Sequence, residues 1–200
     1  MTDYFALLDE PRRPWLEPEA LKTKFLKLAA EIHPDRKHGA DKIEKAAANR
    51  SYAELNAAFN CLAEPKLRLL HLLELERGAK PKDIQQIPSV LADLFAEVAA
   101  TRQNADNVLN EKDKAIAPML QVRLFERSQE QVEQLRALQT RLAGWHDKLV
   151  EELKLLDASW VSPTGDRTTG LNRLEELYRL FAYFNRWNNQ IQERIVRLSL

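Results

Sequence analysis

Four histidines (His33, His38, His71 and His146) and one cysteine, Cys61, are the residues of this 200-residue chain best suited to metal binding or nucleophilic chemistry. Three ligand-type side chains fall in one short stretch, His33, Asp35 and His38, and imidazole with carboxylate suits a transition metal. Pro34 stiffens that stretch, and no second cluster elsewhere supplies further ligands. His71 and His146 sit in helical runs, where packing or surface roles are the ordinary ones. A lone cysteine can form neither an internal disulfide nor a cysteine-based zinc cage. No Gly-rich phosphate loop, Ser/His/Asp order, CxxC pair or HExxH is present. Two readings stay open on these residues: a metal-dependent enzyme at His33, Asp35 and His38, or recognition of another protein by a displayed His-Pro-Asp turn.

The elements on either side decide how that turn is presented. To its left, Pro18 fits the first helical position, where a missing N–H costs nothing, and Glu19 follows in the first turn. Leu16 is placed to staple onto Leu21. Leu21, Phe25, Leu28 and Ile32 then recur every three to four residues, the stripe of an amphipathic helix. Lys22, Lys24 and Lys27 lie off the stripe, as a solvated face or as a charged contact. The break Glu31-Ile32-His33-Pro34-Asp35-Arg36 follows, and residues 36–45, with Gly39 and no apolar period, read as loop. A second helix carries Tyr52, Leu55, Phe59 and Leu62, with Ala53, Ala57 and Ala58 allowing close approach, and ends at Pro65.

A short, very apolar helix with Leu67, Leu69, Leu70, Leu72, Leu73 and Leu75 should stop near Gly78, a suitable C-cap. Asp3 to Leu8 is too short to stand as a lone helix and must pack Tyr4, Phe5 and Leu8 on its neighbours. Residues 1–77 therefore read as one small helical domain and 78–87, around Gly78 and Pro81, as a linker. Residues 88–200 read as three long helices. The first begins near Pro88 and ends before Pro118. The second runs from about Pro118 to Ser159 with Leu135, Leu138, Leu142, Trp145, Leu149, Leu153 and Leu156 in alternating steps of three and four. After a loop over Val161–Gly170, the third carries Leu177, Phe181, Phe184, Ile191, Ile195 and Leu198, with Asn188 at the edge of its seam. Three apolar seams are buried together most simply in an antiparallel three-helix bundle. The fold class is all-α.

Composition agrees. With 44% hydrophobic and 30% charged residues and only five glycines, the chain can fill a helical core. Its net charge of zero, with acids and bases interleaved, argues against nucleic acid or an anionic membrane as partner. No apolar run approaches the roughly 20 residues needed to span a bilayer. Met1-Thr2-Asp3-Tyr4 lacks the basic-then-apolar order of a signal peptide, so a cytoplasmic, reducing location is expected.

The setting of the tripeptide resembles the J-domain co-chaperones. Asp3-Tyr4-Phe5 with Leu7-Leu8 matches the first short helix of that family, and a lysine-bearing second helix runs into His33-Pro34-Asp35. The third helix holds Leu55-Asn56-Ala57-Ala58-Phe59-Asn60-Cys61-Leu62, followed by Pro65, Arg68 and Leu69-Leu70-His71-Leu72-Leu73. Together these are similar to the HscB branch, in which a J-domain precedes a three-helix bundle and the protein serves iron–sulfur cluster assembly. There is neither a Gly/Phe-rich segment nor a cysteine-rich module of a general DnaJ.

The resemblance implies a protein without chemistry or cofactor of its own. His33, Pro34 and Asp35 would touch a DnaK- or HscA-type chaperone and accelerate its ATPase, with Lys24, Lys27 and Arg36 steering onto an acidic surface. The bundle would hold the client, in this family an iron–sulfur cluster scaffold protein, through positions matching Val90, Leu91, Leu94 and Leu180. Several positions depart from the family pattern. Ile32 stands where the family usually has tyrosine, and Arg36 where it has lysine. The family's glutamates after its Leu/Met contacts are replaced by Phe95, Ala96 and Val98, leaving Glu97 the single acid from 94 to 100. The Val161–Gly170 loop also exceeds what the family needs. A bundle without that acidic rim is open to a different client.

Overall fold

The computed structural model describes residues 2–32, 42–81, 91–160 and 167–200. Seven helices occur among the described residues, and no strand: α1 (Tyr4–Leu7), α2 (Pro18–Ile32), α3 (Lys42–Ala63), α4 (Pro65–Arg77), α5 (Ala92–Lys112), α6 (Pro118–Trp160) and α7 (Arg167–Ser199). The all-α expectation holds. By contact the chain forms two compact units, Met1–Lys82 with Val150–Leu180, and Asp83–Leu149 with Phe181–Leu200. The first unit thus includes parts of α6 and α7 that the sequence pattern alone groups with the bundle.

In the first unit α1 survives, despite its single turn, through fixed contacts at both ends. Asp3 caps it by accepting from the amides of Phe5 (3.0 Å) and Ala6 (3.2 Å). The Tyr4 amide donates to His71 Nε2 at 3.0 Å, and the imidazole lies against the rings of Tyr4 and Phe5. Phe5 and Leu8 are fully buried. Pro18 opens α2 as expected, and Leu16 and Leu21 are both buried at that end. Helices α2 and α3 pack side by side, with Phe25 stacked on Phe59 at 4.3 Å between centroids. Of the alanines expected to permit close approach, Ala58 is buried whereas Ala53 and Ala57 are exposed. Gly78 ends α4 in the left-handed region, at φ 70°, a conformation that glycine adopts without a Cβ penalty.

The connector between α1 and α2 is tied to the end of α6. Asp157, buried on α6, accepts from Arg13 Nε (2.9 Å) and from the Trp15 amide (3.0 Å). Arg68 lies 5.6 Å and Lys154 5.0 Å from the centroid of the Trp15 ring, while the Trp160 indole donates to the Arg12 carbonyl. The loop expected over Val161–Gly170 is shorter than its glycine and proline suggest, because α7 begins at Arg167; residues 161–166 lie outside the described residues. The Trp160 ring packs against this first turn of α7. Arg167 sits 3.5 Å over its centroid, and a Cβ on Gly170 would meet its carbons at 3.6 Å.

In the second unit α5 runs antiparallel to α6 and parallel to α7. Glu97 pairs with Arg141 and Glu111 with Arg127, whereas Asp106 meets Arg194 and Lys112 reaches the Leu198 carbonyl. The seams are those read from the sequence: Leu135, Leu138 and Leu142 on α6, and Phe181, Phe184, Ile191, Ile195 and Leu198 on α7, are buried. Asn188 is exposed, and its carbonyl accepts from Gln139 at 3.2 Å, the edge position expected. Trp187, one residue earlier, is buried instead. The start of α5 is less clear in the sequence: Pro88 lies outside the described residues, and the helix opens at Ala92 behind a Leu91 cap that makes no side-chain hydrogen bond.

Candidate functional site

The candidate chaperone-facing surface is built on α2. This helix ends at the half-buried Ile32; His33, Pro34, Asp35 and Arg36 lie outside the described residues, as does His38. The structure describes the two lysines of the site. Lys24 does not stand free: its ammonium donates to the Asp9 carbonyl at 2.6 Å and pairs with Glu10 at 2.9 Å. The Glu10 hydrogen bond, opposed by partial burial, raises the Lys24 pKa. Asp9, at φ 52°, holds a left-handed turn that aspartate tolerates better than most residues, and Lys24 clips that turn to α2. Lys27 is exposed one turn on. With Lys24, Glu19 and Glu31 it lines an open cleft of about 650 Å³ on the outer side of α2.

Behind this surface sits a support that sequence reasoning missed. Arg68 is buried, with Nε donating to the Pro14 carbonyl at 2.8 Å and Nη1 to the Leu62 carbonyl at 2.5 Å. Burial pushes its pKa down to about 10, so it keeps its charge at neutral pH. It joins the end of α3 to the connector that precedes α2. The signal available in the sequence was a single arginine inside the leucine run of α4. Asp157 and Trp15 carried none, since their meeting depends on contacts far apart in the chain.

The candidate client-facing residues divide differently. Val90 lies outside the described residues, and Leu91, Leu94 and Leu180 are buried. Beside Leu94, Phe95 is 40% exposed, with its ring 6.2 Å from that of Trp187. Glu97, the single acid of this stretch, is held by Arg141. On the same helix, Asp106 accepts from Arg194 of α7 at 2.8 Å and also acts electrostatically on Arg102. Among the described residues, no group of three or more His, Cys, Asp or Glu is placed to hold a metal, and no helix is long and apolar enough to cross a membrane.

No family model matches the sequence. The fold is nevertheless found in solved structures. The chaperone HscB from Vibrio cholerae is similar with a TM-score of 0.63 at 17% identity, over 96% of this chain and 96% of that one. The human co-chaperone protein HscB is similar with a TM-score of 0.60 at 16% identity, over 98% of this chain and 81% of that chain. This chain has the all-α fold of these HscB structures.

Proposed function

We propose that the chain is an HscB-type co-chaperone that stimulates the ATPase of a DnaK- or HscA-type chaperone and hands it an iron–sulfur cluster scaffold protein. The observation that carries this reading is the joint one: an HscB fold along nearly the whole chain, with His33-Pro34-Asp35 in sequence directly after α2. In this reading residues 1–77 face the chaperone, 78–87 link, and 88–200 hold the client. The protein performs no chemistry itself and works in the cytoplasm. Lys27 and Arg36 supply steering charge, and Lys24 shapes the surface as well as charging it. Val90, Leu91, Leu94 and Leu180 belong to the client end as its apolar framework, and the exposed Phe95 is the side chain a client would meet first. The test is the steady-state ATPase of the partner chaperone. Wild-type chain should raise it severalfold and His33→Gln should not; equal stimulation by both would remove the J-domain reading.

A second reading keeps the J-domain and changes the client. It is favoured by the capture of Glu97 by Arg141, which leaves this stretch of α5 without a free acid. Titration calorimetry with the cluster scaffold from the same organism separates the two. Absence of binding at tens of micromolar, with ATPase stimulation intact, would favour the second.

A further inference from the structure

We infer that the seam between α5 and α7 accepts a client segment bearing an apolar side chain and a carboxylate set roughly 10 Å apart. The inference rests on the co-chaperone reading and adds the chemistry of the client to it. Two features lie in register along the seam. At one end the partly exposed Phe95 leans on Trp187, which Phe184 holds edge-on at 5.6 Å. Two turns further along each helix, at the same positions of the helical repeat, come Arg102 after Phe95 and Arg194 after Trp187.

The second feature carries unbalanced charge. Arg194 donates to Asp106 at 2.8 Å and to the Gln190 carbonyl at 2.9 Å, which occupies both ends of its guanidinium. Among the described residues Arg102 has only the same Asp106 to answer it, and it stands beside the like charge of Arg194. Two guanidiniums and one carboxylate leave one positive charge in excess. The Nε atoms of Arg102 and Arg194 are both buried without an acceptor among the described residues. Arg102 itself is only partly buried and can be reached from solvent. Burial and the neighbouring Arg194 both lower its pKa, and an incoming carboxylate would offset the like charge of Arg194.

Charge complementarity selects the occupant. A basic segment would meet like charge, and a wholly apolar one would leave the excess unpaired. A carboxylate can take a charge-assisted, forked hydrogen bond from a guanidinium. Seven residues of helix place the aromatic and basic features about 10 Å apart, a distance that roughly three residues of extended peptide span.

The test uses the full chain and three fluorescein-labelled decapeptides that differ at one position, where a leucine is followed three residues later by Glu, Gln or Lys. Anisotropy titrations at low salt should show the Glu peptide binding at least fivefold more tightly than the Gln peptide, and the Lys peptide most weakly. Arg102→Gln should abolish the preference, Arg102→Lys should restore part of it, and Asp106→Asn should strengthen it. Equal binding of the three peptides, no measurable binding, or a Glu preference that survives Arg102→Gln overturns the inference. The same preparations are assayed for stimulation of the chaperone ATPase. Loss of stimulation in the wild type sinks the co-chaperone reading, whereas normal stimulation without a Glu preference sinks only the inference.

Discussion

Asp157 of α6 and Arg13, 144 residues earlier, form a two-point ion pair: Arg13 Nε donates to Oδ1 at 2.9 Å and Nη2 donates to Oδ2. The two partners are not equivalent. Asp157 is 3% exposed, while 37% of the Arg13 side chain reaches solvent. Asp157→Ala orphans the Trp15 amide as well as Arg13, and should cost about 2–3 kcal/mol in urea unfolding. Arg13→Ala leaves the Trp15 bond in place but strips a buried carboxylate of its counter-charge. Asp157→Asn, which keeps an acceptor for Trp15, should fall between wild type and Asp157→Ala. An Asp157→Ala chain as stable as wild type would mean that the pair does not hold the connector.

The Tyr4–His71 contact makes α1 sensitive to pH. His71 Nε2 accepts the Tyr4 amide, so the bonded imidazole is neutral, and burial lowers its pKa below the usual 6.5. The unfolded chain therefore binds a proton before the folded chain does. Stability from this contact is complete above pH 6.5 and is lost as pH falls towards the depressed folded pKa. Asp3 acts in a separate, lower window. Its slight burial is outweighed by Arg12 and by the Ala6 and Phe5 amides, which hold its pKa below 3.8. Thermal melts from pH 7.5 to 5 should show the first loss in wild type and a flatter profile in His71→Gln.

Cys61 should be a poor nucleophile in the folded chain. Burial, reinforced by Glu64 and Glu74, raises its thiol pKa to about 11, and Sγ lies 3.6 Å from the Leu67 carbonyl. Only the thiolate alkylates, so iodoacetamide at pH 7.5 should label the native chain roughly a hundredfold more slowly than the chain in urea. Equal rates in the two states would show that the thiol is open.

Lys24 and Lys27 should respond differently to alanine, although the sequence offers them as a pair. Lys24→Ala frees Asp9 and Glu10, and is expected to lower the melting temperature slightly, the exposed pair itself contributing less than about 1 kcal/mol. Lys27→Ala should leave the melt unchanged and weaken chaperone stimulation more at low salt than at high salt. Identical behaviour of the two variants would count against the clip between Lys24 and the Asp9 turn.

Much of the fold was legible because helices announce themselves locally. The Leu21–Ile32 stripe, Pro18, Pro65, Gly78 and the seams of α6 and α7 each reflect a repeat or a backbone restriction spanning a few residues. The site was legible only in part. His33-Pro34-Asp35 could be read as a tripeptide, and Glu97 could be read as the single acid from 94 to 100. That Glu97 is taken by Arg141, and that Asp106 accepts from Arg194 while acting electrostatically on Arg102, depends on which faces of α5, α6 and α7 meet.

By itself, then, the sequence determined the helices, their order, the His33-Pro34-Asp35 tripeptide after α2 and the resemblance that gives it a meaning. Tertiary structure alone decided which charges are spent internally. Lys24 is committed to Asp9 and Glu10, Asp157 to Arg13 and Trp15, and Glu97 to Arg141. It also decided that Gly170 belongs to a helix and that Leu91 and Leu94 are covered while Phe95 is displayed. The physical reason is range. Periodicity and capping act within a turn or two of helix, whereas an ion pair or a buried leucine depends on a partner that the chain brings close only after folding.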